Sequence, residues 1–162
     1  MRAVVQRVER AHVDVVDPPE HPTGGTSSSP SNDGVVRRVG TLDGPGLVVL
    51  VGVGHDDGPQ QVRWLADKLA GLRLLRGELS VLDVPGAGVL LVSQFTLLGD
   101  ARKGRRPSWG AAAPGPVAEP VVGALADALR ERGVEVPTGE FGADMRVHLV
   151  GDGPVTVVID TP

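Results

Sequence analysis

Val4, Gln6 and Val8 alternate with Val5, Arg7 and Glu9, and Ala11, Val13 and Val15 alternate with His12 and Asp14. A period of two marks strands with one buried face, and here it runs to Val16. It then collapses. Asp17 to Gly34 carries Pro18, Pro19, Pro22, Gly24, Gly25, the run Ser27-Ser28-Ser29-Pro30 and Asn32. Too little apolar surface is present to offset the entropy of ordering such a segment, which predicts a flexible insertion over about residues 17–34. Strand-like sequence resumes at Val35-Val36.

Leu47 to Val53 is apolar on both faces, which predicts a central strand. A turn follows over Gly54 to Gly58, with Asp57 and Gln60 as a capping box and Pro59 in the first turn of a helix. Val62, Leu65, Leu69 and Leu72 recur at spacings of three and four. They predict an amphipathic helix to about Leu75 or Arg76, stopped by Gly77. A short strand is expected over Leu79 to Val84, ended by Pro85-Gly86, and a buried one over Gly88 to Phe95. A second helix spans about Val117 to Arg132, with Val121, Leu125, Ala128 and Leu129 on one face and Gly133 as its stop. Met145 to Val150 alternates as a strand, Gly151-Asp152-Gly153-Pro154 reads as a tight turn, and Val155 to Ile159 as a last strand. Strands outnumber helices without alternating regularly with them, so the fold class is α+β with a largely antiparallel sheet and two main helices.

Length adds that the 162 residues form a single domain, 1–162, able to bury roughly two thirds of the unfolded surface. With no cysteine, thiol nucleophiles and cysteine-ligated metals are excluded. The N-terminus is strand-like rather than a signal peptide, and no apolar run nears the roughly 20 residues that span a bilayer, so a cytoplasmic protein without a membrane partner is expected. A net charge of -4 argues against global attraction to nucleic acid; RNA would have to meet a local patch, and no DNA partner is expected. Four aromatics, Trp64, Phe95, Trp109 and Phe141, are too few for a base-stacking platform.

The common catalytic templates are missing. There is no G-x-S-x-G elbow, no Walker loop and no metal-binding spacing, and His12, His21, His55 and His148 are scattered, which favours structural or solvent-facing roles. No metal and no cofactor are expected. Three places remain. Ser93-Gln94-Phe95-Thr96 ends a buried strand with polar groups, whose hydroxyls could position a substrate and whose backbone N–H groups could form an oxyanion site, or simply satisfy a strand end. Gly153-Pro154 sits in the presumed turn. Arg102, Lys103, Arg105 and Arg106 form a basic loop that is either a solvated face or a phosphate contact.

These three places, with Met1-Arg2-Ala3-Val4-Val5-Gln6-Arg7-Val8, Gly139-Glu140-Phe141-Gly142-Ala143-Asp144-Met145 and Asp152-Gly153-Pro154-Val155-Thr156, resemble the D-aminoacyl-tRNA deacylases, in the family's order and over nearly the whole chain. The resemblance implies a barrel-like α+β core and a homodimeric hydrolase. Such an enzyme cleaves the ester between a D-amino acid, or glycine, and the 3′ end of tRNA. It implies that Gly153-Pro154 is cis and enters the other subunit's site, where its carbonyls grip the substrate amino group and exclude an L side chain. Arg7 would hold that loop across the dimer. The backbone of Ser93, Gln94, Phe95 and Thr96 would polarise the ester carbonyl while the ribose 2′-OH assists water. Thr96 as nucleophile ranks second, because no base is identifiable beside it. The alternative is a tRNA- or RNA-binding dimer without turnover. The chain departs from the family pattern in its longer 17–34 segment, in Arg76-Gly77-Glu78-Leu79-Ser80, and at Gly151, where Asn is common.

Overall fold

The sheet is organised around one long strand. In the computed structural model, which describes residues 1–17, 35–102 and 104–162, strand β1 (Arg2–Asp17) pairs with three others, all antiparallel. Strand β2 (Val35–Leu42) follows its second half, β3 (Gly46–Gly52) its first half, and β5 (Met145–Asp160) nearly its whole length on the other edge. Strand β4 (Gly88–Ser93) joins β3 in parallel, so the sheet is mixed though mostly antiparallel. Apart from Asp17, the expected insertion lies outside the described residues.

Two apolar clusters explain which runs are continuous and which alternate. Val49 and Val51 of β3 and Val89 and Leu91 of β4 face the helices α1 (Pro59–Gly71) and α2 (Gly115–Glu131). Val48, Leu90 and Val92 point the other way, into a second cluster with Val8, Ala11 and Val13. Residues of β3 and β4 are therefore apolar on both faces because both faces are covered. Along β1 the buried face changes: Ala3 and Val5 belong to the helix side, Val8, Ala11 and Val13 to the other. The register with β5 shifts between Gln6 and Val8 and again between Val8 and Arg10, and there the sheet curls into a half-barrel.

The helices meet through small residues. Ala66 and Ala70 of α1 and Ala118, Ala126 and Ala128 of α2 are buried beside Leu65, Leu69, Leu125 and Leu129. As expected, Gly133 ends α2: it adopts φ +84°, Gly133 N–H donates to Arg130 O (2.9 Å) and Val134 N–H to Leu129 O (3.2 Å). These bonds satisfy carbonyls the last turn leaves free.

Four expectations are corrected. The capping interaction lies one residue later, where Gly58 N–H donates to Gln61 Oε1 (3.1 Å); Asp57 instead accepts Gly54 N–H (2.6 Å) and pairs with the Met1 amine. Helix α1 stops at Gly71 rather than near Gly77, because Leu72 turns extended and Leu74 O is drawn to Arg7 Nη1 (3.0 Å). No strand forms over Leu79–Val84. Ser80 closes a local turn instead, donating both its N–H (2.8 Å) and its Oγ–H (2.7 Å) to Asp83 Oδ2, and that carboxylate is held below its ordinary pKa chiefly by the hydroxyl. Finally, Gly151–Pro154 is no turn between strands: β5 continues through it, still antiparallel to β1.

Candidate active site

Strand β4 ends in a cleft of about 520 Å³. Its walls are the ends of β3 and β4, the first turns of α2 (Gly115, Ala118, Val122), and the segment from Phe141 to Met145 with Val147. Most of the lining is apolar, and its polar side chains are those of Ser93, Gln94 and Asp144. Apolar walls with a few placed polar groups are the usual make-up of a small-ligand site.

The polar corner is built by a change of helical state. After Ser93 the chain leaves the sheet and enters a one-turn 3₁₀ helix, Phe95–Leu98. Gln94 N–H is taken by Val51 O (2.7 Å), which anchors the corner to β3. As the first residues of the turn, Phe95 and Thr96 have N–H groups with no acceptor inside it. Thr96 Oγ1 accepts a bond from Gln94 Nε2, and an amide cannot serve as a base. Phe95 is 55% exposed and meets Trp109 edge-on, centroids 5.5 Å apart. Trp109 in turn packs so closely on Gly99 that a Cβ there would lie 2.4 Å from its ring.

Gly153–Pro154 has a cis peptide bond and lies elsewhere, outside the cleft of its own chain. Gln6 pairs with Thr156 and Val8 with Gly151, so Asp152 to Val155 bulge opposite Arg7 alone. Arg7 Nε donates to Asp152 O (2.6 Å) and lies 3.3 Å from its carboxylate, while Arg76 Nη2 binds Asp152 Oδ1. Within one chain, Arg7 thus holds the residue that precedes Gly153-Pro154. Arg76, not singled out from the sequence as a site residue, belongs to the same clamp. A side chain at Gly153 would stand 2.2 Å from Val155 N, so only glycine fits.

Within the basic loop, Arg102 folds back on Asp100, with Nε and Nη2 at 2.9 and 2.7 Å from its two oxygens. The pair holds Asp100 below its ordinary pKa, chiefly through the side-chain bond. Arg105 and Arg106 are exposed, with no ion pair among the described residues; Lys103 lies outside them.

The scattered histidines are not all apart. His12 and His148 are opposite residues of β1 and β5, and their rings stack with centroids 4.4 Å apart. Only knowledge of that strand pairing could have joined them.

The arrangement of a curled mixed sheet and two helices recurs in solved proteins. It is similar to the c-Myc DNA Unwinding Element Binding Protein (TM-score 0.79, 32% identity, covering 100% of this chain and 99% of that one). A probable eukaryotic D-amino acid tRNA deacylase shares the fold (TM-score 0.66, 16% identity, 98% and 97% covered). The class is that of an α+β deacylase-like fold. In sequence, the chain is 59% identical over 160 residues to a D-aminoacyl-tRNA deacylase of Kineococcus radiotolerans and 58% to one of Beutenbergia cavernae, with 99% of both chains covered in each case. Residues 4–160 match the model of the D-Tyr-tRNA(Tyr) deacylases, and the chain belongs to that family of hydrolases.

Proposed function

We propose that the protein hydrolyses the ester of D-aminoacyl-tRNA, with glycyl-tRNA as a further substrate, and so removes mischarged residues in the cytoplasm before translation uses them. The observation that carries the reading is the Phe95–Thr96 corner, with two N–H groups unpaired in their own turn, at the edge of an apolar cleft that Ser93, Gln94 and Phe95 line and Thr96 does not. Placed there, the ester carbonyl gathers negative charge in the transition state where fixed donors meet it. A water oxygen bonds to the carbonyl carbon, the bond to the ribose 3′ oxygen breaks, and that oxygen takes a proton relayed by the neighbouring 2′-OH. The new carboxylic acid loses its proton to solvent. Orientation and carbonyl polarisation account for the rate without a protein nucleophile.

A second copy of the chain completes the pocket. Gly153 and Pro154 lie on an exposed edge strand, outside their own cleft, and the same strand presents Val150 and Val158 to solvent. Seated on a partner, the two carbonyls hold the substrate amino group and leave no space for an L side chain, which reads chirality by exclusion. Arg105 and Arg106 meet the tRNA backbone.

Incubation with D-tyrosyl-tRNA and L-tyrosyl-tRNA tests this. Fast loss of the D ester alone is expected; binding of both without turnover would replace the enzyme by a tRNA-binding dimer. Thr96→Ala is expected to stay within about tenfold of the parent rate, whereas a loss beyond about 10⁴-fold in a folded variant would make Thr96 the nucleophile.

A further inference from the structure

On the face of β1 and β5 turned away from the cleft, three side chains converge. Val13 is buried and Val147 lines the cleft, while their neighbours His12 and His148 point to the other face, joined there by Asp14 two residues along β1. His12 Nε2 is 3.7 Å and His148 Nε2 3.4 Å from Asp14 Oδ2, and ligand atoms of all three lie within 4.8 Å of one another. Asp14 is nearly buried, and its other oxygen is fixed by Arg38 Nε at 3.0 Å. One carboxylate oxygen is thereby aimed at the two imidazoles.

We infer that His12, Asp14 and His148 form a binding site for a divalent first-row transition ion. Ligand atoms about 2 Å from one ion lie roughly 3 to 4 Å from each other, as both imidazole nitrogens already do from Asp14 Oδ2, so rotation of the imidazoles completes the set. An imidazole binds a metal through a lone pair in its ring plane. The two rings stack with their planes 14° apart, so one of them turns out of the stack before both nitrogens reach a shared ion. Two histidines and one carboxylate occupy one side of the ion and leave the solvent side open, since half of the His148 side chain is exposed. Two of the ligands come from β1 and one from β5, so the ion ties β1 to the strand that contributes Met145 and Val147 to the cleft. Nitrogen ligands favour nickel, copper or zinc over magnesium.

Titration of the untagged full chain with Ni²⁺, Zn²⁺ and Mg²⁺ by calorimetry, with thermal melting in parallel, decides the matter. One saturable Ni²⁺ per chain is expected, with Zn²⁺ competing for the same site, no response to Mg²⁺ and a raised melting temperature. His12→Ala and His148→Ala should each weaken Ni²⁺ binding at least about 100-fold, since even groups that merely orient a ligand contribute 10- to 100-fold. His21→Ala and His55→Ala should leave it unchanged. His148→Ala is the decisive variant if replacement of the half-buried His12 disturbs folding, because His148 is exposed. Absence of saturable Ni²⁺ binding, or affinity within threefold of the parent in a folded His148→Ala chain, overturns the site.

Discussion

Ser93 to Thr96 follow five buried residues of β4 and are tied to β3 through Val51, whereas Gly153 and Pro154 ride on an edge strand and are held by Arg7 and Arg76 acting on Asp152. One region takes its position from packing and the other from a charged clamp. Packing is insensitive to salt and pH, and it carries a large share of global stability. A clamp on an edge fixes the position of a backbone, which is what recognition by main-chain carbonyls needs.

The contrast breaks if stability and activity respond to both regions alike. Leu91→Ala, in the centre of β4, should lower unfolding free energy by about 2–5 kcal/mol in urea while the folded fraction keeps its rate. Gly153→Ala should do the reverse. Its added carbon meets Val155 N at 2.2 Å and displaces the bulge, so turnover of D-aminoacyl-tRNA should fall at least about 100-fold with little change in melting temperature. A large loss of stability in this variant would show that the bulge is packed like the β4 corner.

Acid should bring out a smaller difference. Asp14, bonded to Arg38, and Asp160, bonded to Arg2, both have carboxyls held below the ordinary range, and both pairs fasten β1 to its neighbours. A depressed folded-state pKa gives stability that is fully present above the unfolded value of about 3.9 and is lost as pH falls through the lower folded value. The urea midpoint should therefore be flat above about pH 5 and decline below about pH 4, and Asp160→Asn should reduce that decline. An acid limb unchanged by Asp160→Asn would remove the Arg2 pair from the account.

Much of this was legible in the chain. Leu47–Val53 and Val89–Val92 read as buried on both faces because they are, and α2 ended where Gly133 said it would. Local chemistry was enough at those places. What was misread depended on contacts distant in sequence. Gly151–Pro154 has the composition of a turn, yet pairing with β1 on both sides carries the strand through it. Leu74 leaves the helix to meet Arg7, a residue 67 positions away. The His12–His148 pair exists only because those positions fall opposite each other in the sheet. A nearer contact shapes Arg102: Asp100, two residues before it, pairs with its guanidinium.

Strand β5 walls its own cleft with Met145 and Val147 and, a few residues on, presents Gly153–Pro154 outward. Under the proposed pairing, each chain thus builds part of two pockets, one in its own body and one in its companion's. A hybrid of one intact chain and one bearing Gly153→Ala would keep a single competent pocket, the one inside the altered chain. Mixing the two proteins would then give activity that tracks the number of intact loops rather than the number of intact clefts.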